Sequence, residues 1–173
     1  ATFTGGEPLA QSDFNLEIAE MCRHRRIHTA AETCLMTSKD VVKDFSRVID
    51  LFLADIKFID SKKHMEYTGS DNSLILENLE YLVSQNASII IRIPLIPGAT
   101  ATEENIRSIA AHVQRLDPDI PIELINYNPL AENKYRLMEL SYPMDSTLDS
   151  FSEEKMEDFR VILSKEGINP YRE

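Results

Sequence analysis

The chain has 173 residues, with 29 acidic against 18 basic side chains, and a net charge of −11 at pH 7. Nucleic-acid or anionic-membrane binding needs a basic patch, which this composition argues against. No apolar run approaches the roughly 20 residues of a membrane-spanning helix, and two cysteines are too few for a disulfide framework. We therefore expect a single cytoplasmic domain over residues 1–173, with no membrane or nucleic-acid partner.

The first half of the chain alternates between strand and helix patterns. Strands are predicted at residues 1–3, 27–33 and 51–58, and helices at residues 8–25, 40–48 and 72–85. In the first helix, Phe14, Ile18, Met21 and Cys22 share one apolar face, and we expect Cys22 to be a core residue.

The turn after the first strand reads Thr4-Gly5-Gly6-Glu7-Pro8. Glycines let the backbone approach a ligand closely, and Pro8 suits the first turn of the helix that follows. A strand, a glycine turn and a carboxylate in succession predict a site for the polar end of a small molecule, with a cationic amine near Glu7. Because glycine pairs before helices are common, the turn does not establish a site by itself.

The second half continues the alternation. Strands are predicted at residues 88–93 and 122–127, a helix begins at Thr102, an irregular stretch spans residues 129–150, and a last helix covers residues 152–165 and is stopped by Gly167. The run Ile89-Ile90-Ile91 is typical of a strand buried on both faces. Alternating strands and helices predict an α/β fold with a parallel sheet and outer helices, and a partial (β/α) barrel fits best.

Polar side chains appear late on one face of three predicted strands. On residues 51–58 this face ends in Asp55 and Lys57, and on residues 88–93 it ends in Arg92. On the strand near residue 122 we assign to the same face Ile122, Leu124, Asn126 and Asn128. Such strand ends form the active-site edge of a barrel, so we predict one ligand site there. A buried salt bridge, Asp55 with Lys57 or Glu32 with Arg92, is the alternative explanation for any single pair.

Several motifs follow one another in an order that identifies a family. They are TGGEPL (residues 4–9), HTAAET (28–33), DIK (55–57), HMEYTG (64–69), Asn78, RIPLIPG (92–98) and NYNPL (126–130). In this order they resemble the radical S-adenosylmethionine (SAM) activating enzymes of glycyl radical enzymes, of the pyruvate formate-lyase activating enzyme type. The resemblance implies a partial (β/α) barrel of the radical SAM type that lacks its first strand.

The resemblance also implies an oxidoreductase activity that requires anaerobic conditions. A [4Fe-4S] cluster cleaves SAM reductively, and the 5′-deoxyadenosyl radical removes a hydrogen atom from a glycine of a partner enzyme. The implied partners are that glycyl radical enzyme and a reductant of the flavodoxin or ferredoxin type.

Nine residues match family positions for cofactor binding: Gly5, Gly6, Glu7, Glu32, Thr33, Asp55, Lys57, Arg92 and Asn128. By resemblance, the glycine turn and Glu7 would hold the methionine amino group, and Lys57 would pair with its carboxylate. Asp55, with Glu32 and Thr33 beside it, would lie near the ribose or a monovalent cation. Arg92 would share the cavity, and Asn128 would contact the ribose at a position where the family commonly has His.

The cluster-binding CxxxCxxC motif of the family is absent from this chain. Since the cluster requires three thiolates and only Cys22 and Cys34 are present, we expect no metal site here and an inactive segment, with the cluster in the full-length protein only. Cys34 and Leu35 replace a small polar residue and a glycine that the family often has. The four histidines show no metal-binding spacing, and no catalytic residue is assigned.

Two other functions fit parts of the pattern. Lys57 beside a carboxylate in a barrel could form a Schiff base, as in class I aldolases. A barrel without cluster cysteines could also be a non-catalytic module that binds a nucleoside or a partner protein.

Overall fold

The computed structural model describes residues 1–130, 135–141 and 147–172. Its strands are β1 (Thr2–Phe3), β2 (Ala30–Thr33), β3 (Leu51–Asp55), β4 (Ile89–Pro94) and β5 (Ile122–Ile125). Its helices are a 3-10 turn (Pro8–Gln11), α1 (Ser12–His24), α2 (Lys39–Phe45), α3 (Ser61–Thr68), α4 (Ser73–Ser84), α5 (Glu103–Leu116) and α6 (Glu153–Lys165). No helix in these described ranges is long and apolar enough to cross a membrane.

The five strands form one parallel sheet in the order of the chain, β1-β2-β3-β4-β5. Each crossover contains at least one helix, as parallel neighbours require. The predicted parallel α/β architecture is therefore confirmed. All five strands end at the same edge, so the loops after them share one rim of the sheet.

The two faces of the sheet differ in composition. One face carries Ala31, Phe52, Ile91 and Ile122, which are fully buried in a core shared with the helices. We call it the outer face, because the helices cover it. The other, inner face carries Glu32, Asp55, Arg92 and Glu123. The strand register places Asp55, Arg92 and Glu123 side by side and pairs Glu32 with Leu53, two residues before Asp55 on β3. The hydrophobic core thus lies on one side of the sheet and the charged side chains lie on the other.

One predicted face is wrong. The register pairs Arg92 with Glu123, so Glu123 belongs to the inner face, whereas Ile122 and Leu124 point into the outer core. The sequence pattern instead predicts Ile122 and Leu124 on the charged face. The error arises because β5 is apolar on both sides of Glu123, so hydrophobicity alone left its facing open.

The helices follow the predicted positions with two exceptions. Helix α3 was not predicted; its N-cap is Asp60, whose carboxylate accepts hydrogen bonds from the N–H groups of Lys62 and Lys63. In α1, the expected apolar face is only partly buried: Ile18 packs against the core, whereas Phe14 is 63% and Met21 is 44% exposed, and Cys22 is only half-buried. The fully buried residue of α1 is Ala19, which belongs to the core. The predicted irregular stretch, residues 129–150, lies partly outside the described residues.

Candidate functional site

A cavity of about 230 Å³ lies at the carboxyl ends of β1, β2 and β3. Its lining consists of Thr4, Gly5, Gly6, Glu7, Glu32, Thr33, Cys34, Asp55 and Lys57. We call it the rim cavity. Seven of the nine residues predicted to bind a cofactor therefore meet at one place, although they come from three separate segments of the chain.

The glycine turn gives the rim cavity a wall of bare backbone. Gly5 has φ +109°, a conformation that residues with a Cβ rarely adopt. Apart from the glycine itself and the residues on either side of it, no residue has an atom within 4 Å of the point where a Cβ would stand on Gly5 or on Gly6. The backbone atoms of both residues therefore face open space that a small polar ligand can enter.

Glu7 ties the glycine turn to the end of β2. Its Oε1 accepts hydrogen bonds from the Thr33 hydroxyl at 2.7 Å and from the Leu9 N–H at 3.1 Å, and its Oε2 accepts one from the Cys34 N–H at 2.8 Å. A carboxylate has about four acceptor positions, so one is left for a ligand. Glu7 thus holds the turn in place and retains limited capacity to bind an amine.

Lys57 supplies positive charge to the rim cavity. Across the described ranges, its ammonium has no ion pair or hydrogen bond. Asp55 lines the same cavity, and burial raises the pKa of its carboxyl, although the nearby charges of Lys57 and Arg92 act in the opposite direction. A half-buried ammonium without a partner is suited to an anionic group of a ligand.

Arg92 lies beside the rim cavity and pairs with two of its lining residues. The Nη1 atom is 3.2 Å from Glu32 Oε1, and the Nε atom is 3.8 Å from Asp55 Oδ1 and 3.5 Å from Glu123 Oε2. Glu32 also accepts a hydrogen bond from the Thr4 hydroxyl at 2.7 Å. Three carboxylates thus surround one guanidinium, which leaves a net negative formal charge on the inner face.

The loop after β2 is held in a strained conformation. Leu35 has φ +59° and is fully buried. Asn78 in α4 donates hydrogen bonds to the carbonyls of Leu35 at 2.9 Å and Thr37 at 2.8 Å. Left-handed backbone costs a leucine about 1–2 kcal/mol, so burial and the Asn78 clamp together keep the loop in position beside the cavity.

The site residues do not form a metal centre. Within residues 1–130, 135–141 and 147–172, no three His, Cys, Asp or Glu side chains are grouped as metal ligands. Burial raises the pKa of the Cys34 thiol, the neighbouring carboxylate of Glu7 acts in the same direction, and the thiolate that iron would bind is therefore disfavoured. The two cysteines of the chain therefore do not fit a [4Fe-4S] cluster, whereas the rim cavity fits a small ligand with amino and carboxylate groups.

The structure does not gather all the predicted residues. Arg92 contacts the lining from the side, and Asn128 is exposed, with its Oδ1 accepting a hydrogen bond from the Leu130 N–H at 3.0 Å. Thr4, Cys34 and Glu123 were missed. Thr4 and Cys34 adjoin motif residues and could have been included on that ground, but Glu123 depends on the register of β5.

Comparison with known proteins identifies the chain's relatives. The sequence profile of the Radical SAM superfamily matches residues 1–110 of the chain. The chain is 35% identical over 171 residues to the trans-4-hydroxy-L-proline dehydratase activating enzyme of Clostridioides difficile, covering 97% of this chain and 56% of that protein. It is 36% identical over 172 residues to the 4-hydroxyphenylacetate decarboxylase activating enzyme of C. difficile strain CD196, with 98% and 54% covered.

A solved structure with the same fold is a domain of pyruvate-formate lyase-activating enzyme from Bacteroides vulgatus. The TM-score is 0.78 at 32% identity, over 99% of this chain and 96% of that one. This likeness confirms the predicted partial barrel. The chain spans about half the length of the curated relatives it matches.

Proposed function

The chain belongs to the radical SAM superfamily, among the activating enzymes of glycyl radical enzymes, and on this premise we propose its role. It is part of an oxidoreductase that cleaves SAM reductively and generates a glycyl radical on a partner enzyme. The Schiff-base lyase considered above is not favoured, because the relatives at 34–36% identity carry the names of activating enzymes.

The rim cavity is the observation that carries the proposal. It combines bare glycine backbone, an unpaired ammonium at Lys57 and the carboxylates of Glu32 and Asp55. The methionine end of SAM has a complementary set of groups: an α-ammonium, an α-carboxylate and a sulfonium. At about 230 Å³ the cavity is smaller than the roughly 300–1,000 Å³ typical of drug-sized ligands, so we assign to it the methionine end.

When bound, SAM supplies the 5′-deoxyadenosyl radical that removes a hydrogen atom from a glycine of the partner. The residues of this chain hold and orient it. Backbone atoms of Gly5 and Gly6 receive the amino group, with the remaining acceptor position of Glu7. Lys57 binds the carboxylate through a charge-assisted hydrogen bond.

The remaining predicted residues act around this centre. Thr33 fixes Glu7 by its hydroxyl hydrogen bond, and Glu32 and Asp55 supply carboxylates toward the ribose side. Arg92 pairs with these two carboxylates and partly offsets their negative charge. Asn128 is kept as a ribose contact because an amide both donates and accepts, although it lies outside the cavity lining.

We further propose that residues 1–173 form one domain, the C-terminal part of a radical SAM barrel. The [4Fe-4S] ligands of the full-length protein are assigned to no residue of this chain, since it has two cysteines and the cluster requires three thiolates. The partners are a glycyl radical enzyme and a flavodoxin- or ferredoxin-type reductant. The protein acts in the cytoplasm, where such reductants and free cysteines are expected.

Calorimetric titration of this chain with SAM tests the proposal. We expect the wild type to bind and Lys57→Ala to lose roughly 1.5–3 kcal/mol of binding free energy, because one charge-assisted hydrogen bond to the carboxylate is removed. The matched control is Lys62→Ala, which removes the same charge from the exposed surface of α3 and leaves affinity unchanged.

Two results would contradict the proposal. One is equal affinity for Lys57→Ala and the wild type, which would place the carboxylate elsewhere. The other is stoichiometric iron–sulfur absorbance on the isolated chain after anaerobic reconstitution, which would show that its cysteines do bind the cluster.

A further inference from the structure

Glu123 lies on the inner face of the sheet, directly beside Arg92 in the strand register. Its side chain is 17% exposed, and its Oε2 is 3.5 Å from Arg92 Nε. It does not line the rim cavity. Arg92, which pairs with Glu123 and with the lining residues Glu32 and Asp55, connects Glu123 to the cavity.

On the inner face, Arg92 of β4 lies between carboxylates of the strands on either side of it. Glu32 on β2 and Asp55 on β3 line the rim cavity, and both attract the guanidinium from one side. Glu123 on β5 attracts it from the other side. The Nε atom is buried and, in the part of the chain that the structure describes, makes no hydrogen bond, so its position is set by the balance of these carboxylates.

We propose that Glu123 is a positioning residue, which holds Arg92 on the β5 side and keeps it from neutralising Asp55. The consequence of this positioning is the selection of a cationic cofactor, and that consequence rests on the proposed function. With Arg92 held back, the carboxylates of Glu32 and Asp55 keep the cavity lining negative. A negative lining favours the sulfonium of SAM over the neutral thioether of S-adenosylhomocysteine.

Two neighbouring arginines could compete with Arg92 for Glu123, but each pairs with a different carboxylate. Arg160 and Arg172 line a second cavity with Glu123, of about 340 Å³. Both pair with other carboxylates: Arg160 with Glu153 at 2.5 Å, and Arg172 with Glu157 at 2.8 Å.

The positioning itself is measured without any ligand. In nitrogen-15 NMR, rotation about the Arg92 Nε–Cζ bond exchanges its two Nη groups, and the signals are assigned by their loss in Arg92→Lys. We expect the exchange rate to change in Glu123→Gln, which keeps the shape but removes the charge. The exposed Glu154→Gln removes the same charge from the first turn of α6 and leaves the rate as in the wild type.

The consequence is measured by calorimetry with two ligands that differ by one charge. Glu123→Gln should bind SAM roughly threefold to fivefold more weakly than the wild type, which is the effect of one partly exposed ion pair. Its affinity for S-adenosylhomocysteine should equal that of the wild type. Glu123→Asp keeps the charge and should retain the preference for SAM. A purely structural role for Glu123 would weaken both ligands by the same factor.

The outcomes separate this inference from the proposed function. An unchanged Arg92 exchange rate in Glu123→Gln, or an equal loss for the two ligands, overturns the positioning role. If the wild type binds neither ligand while Arg92 exchange still depends on Glu123, the proposed function fails and the positioning of Arg92 stands.

Discussion

The two faces of the sheet perform different tasks. On the outer face, Phe52, Ala54 and Ile91 are fully buried under the helices. On the inner face, the neighbouring side chains of Asp55 and Arg92 are 35% and 18% exposed and are surrounded by further charges. Alternation along a strand places these side chains within one residue of each other but in different environments.

This difference shows where stability and binding are separated. Apolar burial on the outer face contributes most of the folding free energy, at about 25 cal/mol per Å². The inner face places carboxylates close together and partly out of water, which costs stability unless each charge is compensated. Substitutions on the outer face should therefore reduce stability, whereas substitutions on the inner face should chiefly change binding.

The largest effect is expected from Phe52→Ala on the outer face. Removing a fully buried phenylalanine from β3 should cost about 3–5 kcal/mol of unfolding free energy, through lost burial and the cavity left behind. Urea denaturation followed by circular dichroism measures it. Leu53→Ala, one residue along on the half-buried inner face, is the matched control and should cost clearly less. Equal losses would remove the distinction between the faces.

The next effect is expected at Leu35, where the two regions meet. Its side chain is in the outer core, while its backbone forms the strained loop beside the rim cavity. Leu35→Ala should cost about 2–5 kcal/mol. Leu35→Gly should cost no more than Leu35→Ala, because glycine removes about 1–2 kcal/mol of left-handed strain. The usual order, with glycine clearly worse than alanine, would show that the strain does not matter.

Much of this fold followed from the sequence because hydrophobic periodicity is strong in most elements. The run around Ile91 and the alternation that ends in Asp55 and Lys57 specified β4 and β3. The glycine turn, the HTAAET motif and the DIK motif together led to seven residues that meet in the rim cavity. Local pattern was sufficient wherever one face of an element was clearly apolar.

The sequence did not determine features that depend on tertiary contacts. The facing of β5 was wrong because Ile122, Leu124 and Ile125 make both faces apolar, and only pairing with β4 decides that Glu123 meets Arg92. In α1, the stripe through Phe14 and Met21 stays exposed because packing selected the face of Ala19. The arginine network and the Glu7 bridge join distant segments and have no local signal.

A smaller effect is expected for Asp55→Asn on the inner face. Burial raises the pKa of Asp55 above its ordinary value of 3.8, so its ionisation is unfavourable in the folded state. Its contribution to stability is present below pH 3.8 and is lost as pH rises through the folded pKa. The asparagine variant should be more stable than the wild type at pH 7, by less than about 1 kcal/mol because the side chain is partly exposed to solvent.

Urea denaturation at several pH values measures this gain, and calorimetry with SAM should show weaker binding for the same variant. A variant that is less stable at pH 7 would mean that Asp55 is chiefly a structural partner of Arg92.

The smallest effect is expected at His112 in α5, on the helix side of the sheet. Its pH dependence of stability is opposite in sign to that of Asp55. Burial, with the nearby Arg115, lowers the pKa of His112 below 6.5, and its Nε2 is buried without a hydrogen-bond partner in the described structure. The unfolded chain therefore binds the proton more tightly, and stability should fall as pH drops below about 6.5. The loss should be a fraction of the roughly 1.4 kcal/mol that one pKa unit represents.

His112→Leu should remove this loss between pH 7.5 and pH 5.5, whereas His24→Leu, at an exposed position, should leave it in place. Ionisation of Asp55 lowers the stability of the protein as pH rises, and protonation of His112 lowers it as pH falls. The two titrations therefore assign the acidic and near-neutral parts of the stability curve to opposite sides of the sheet. A curve for His112→Leu that still falls below pH 6.5, parallel to the wild type, would mean that another group controls that limb.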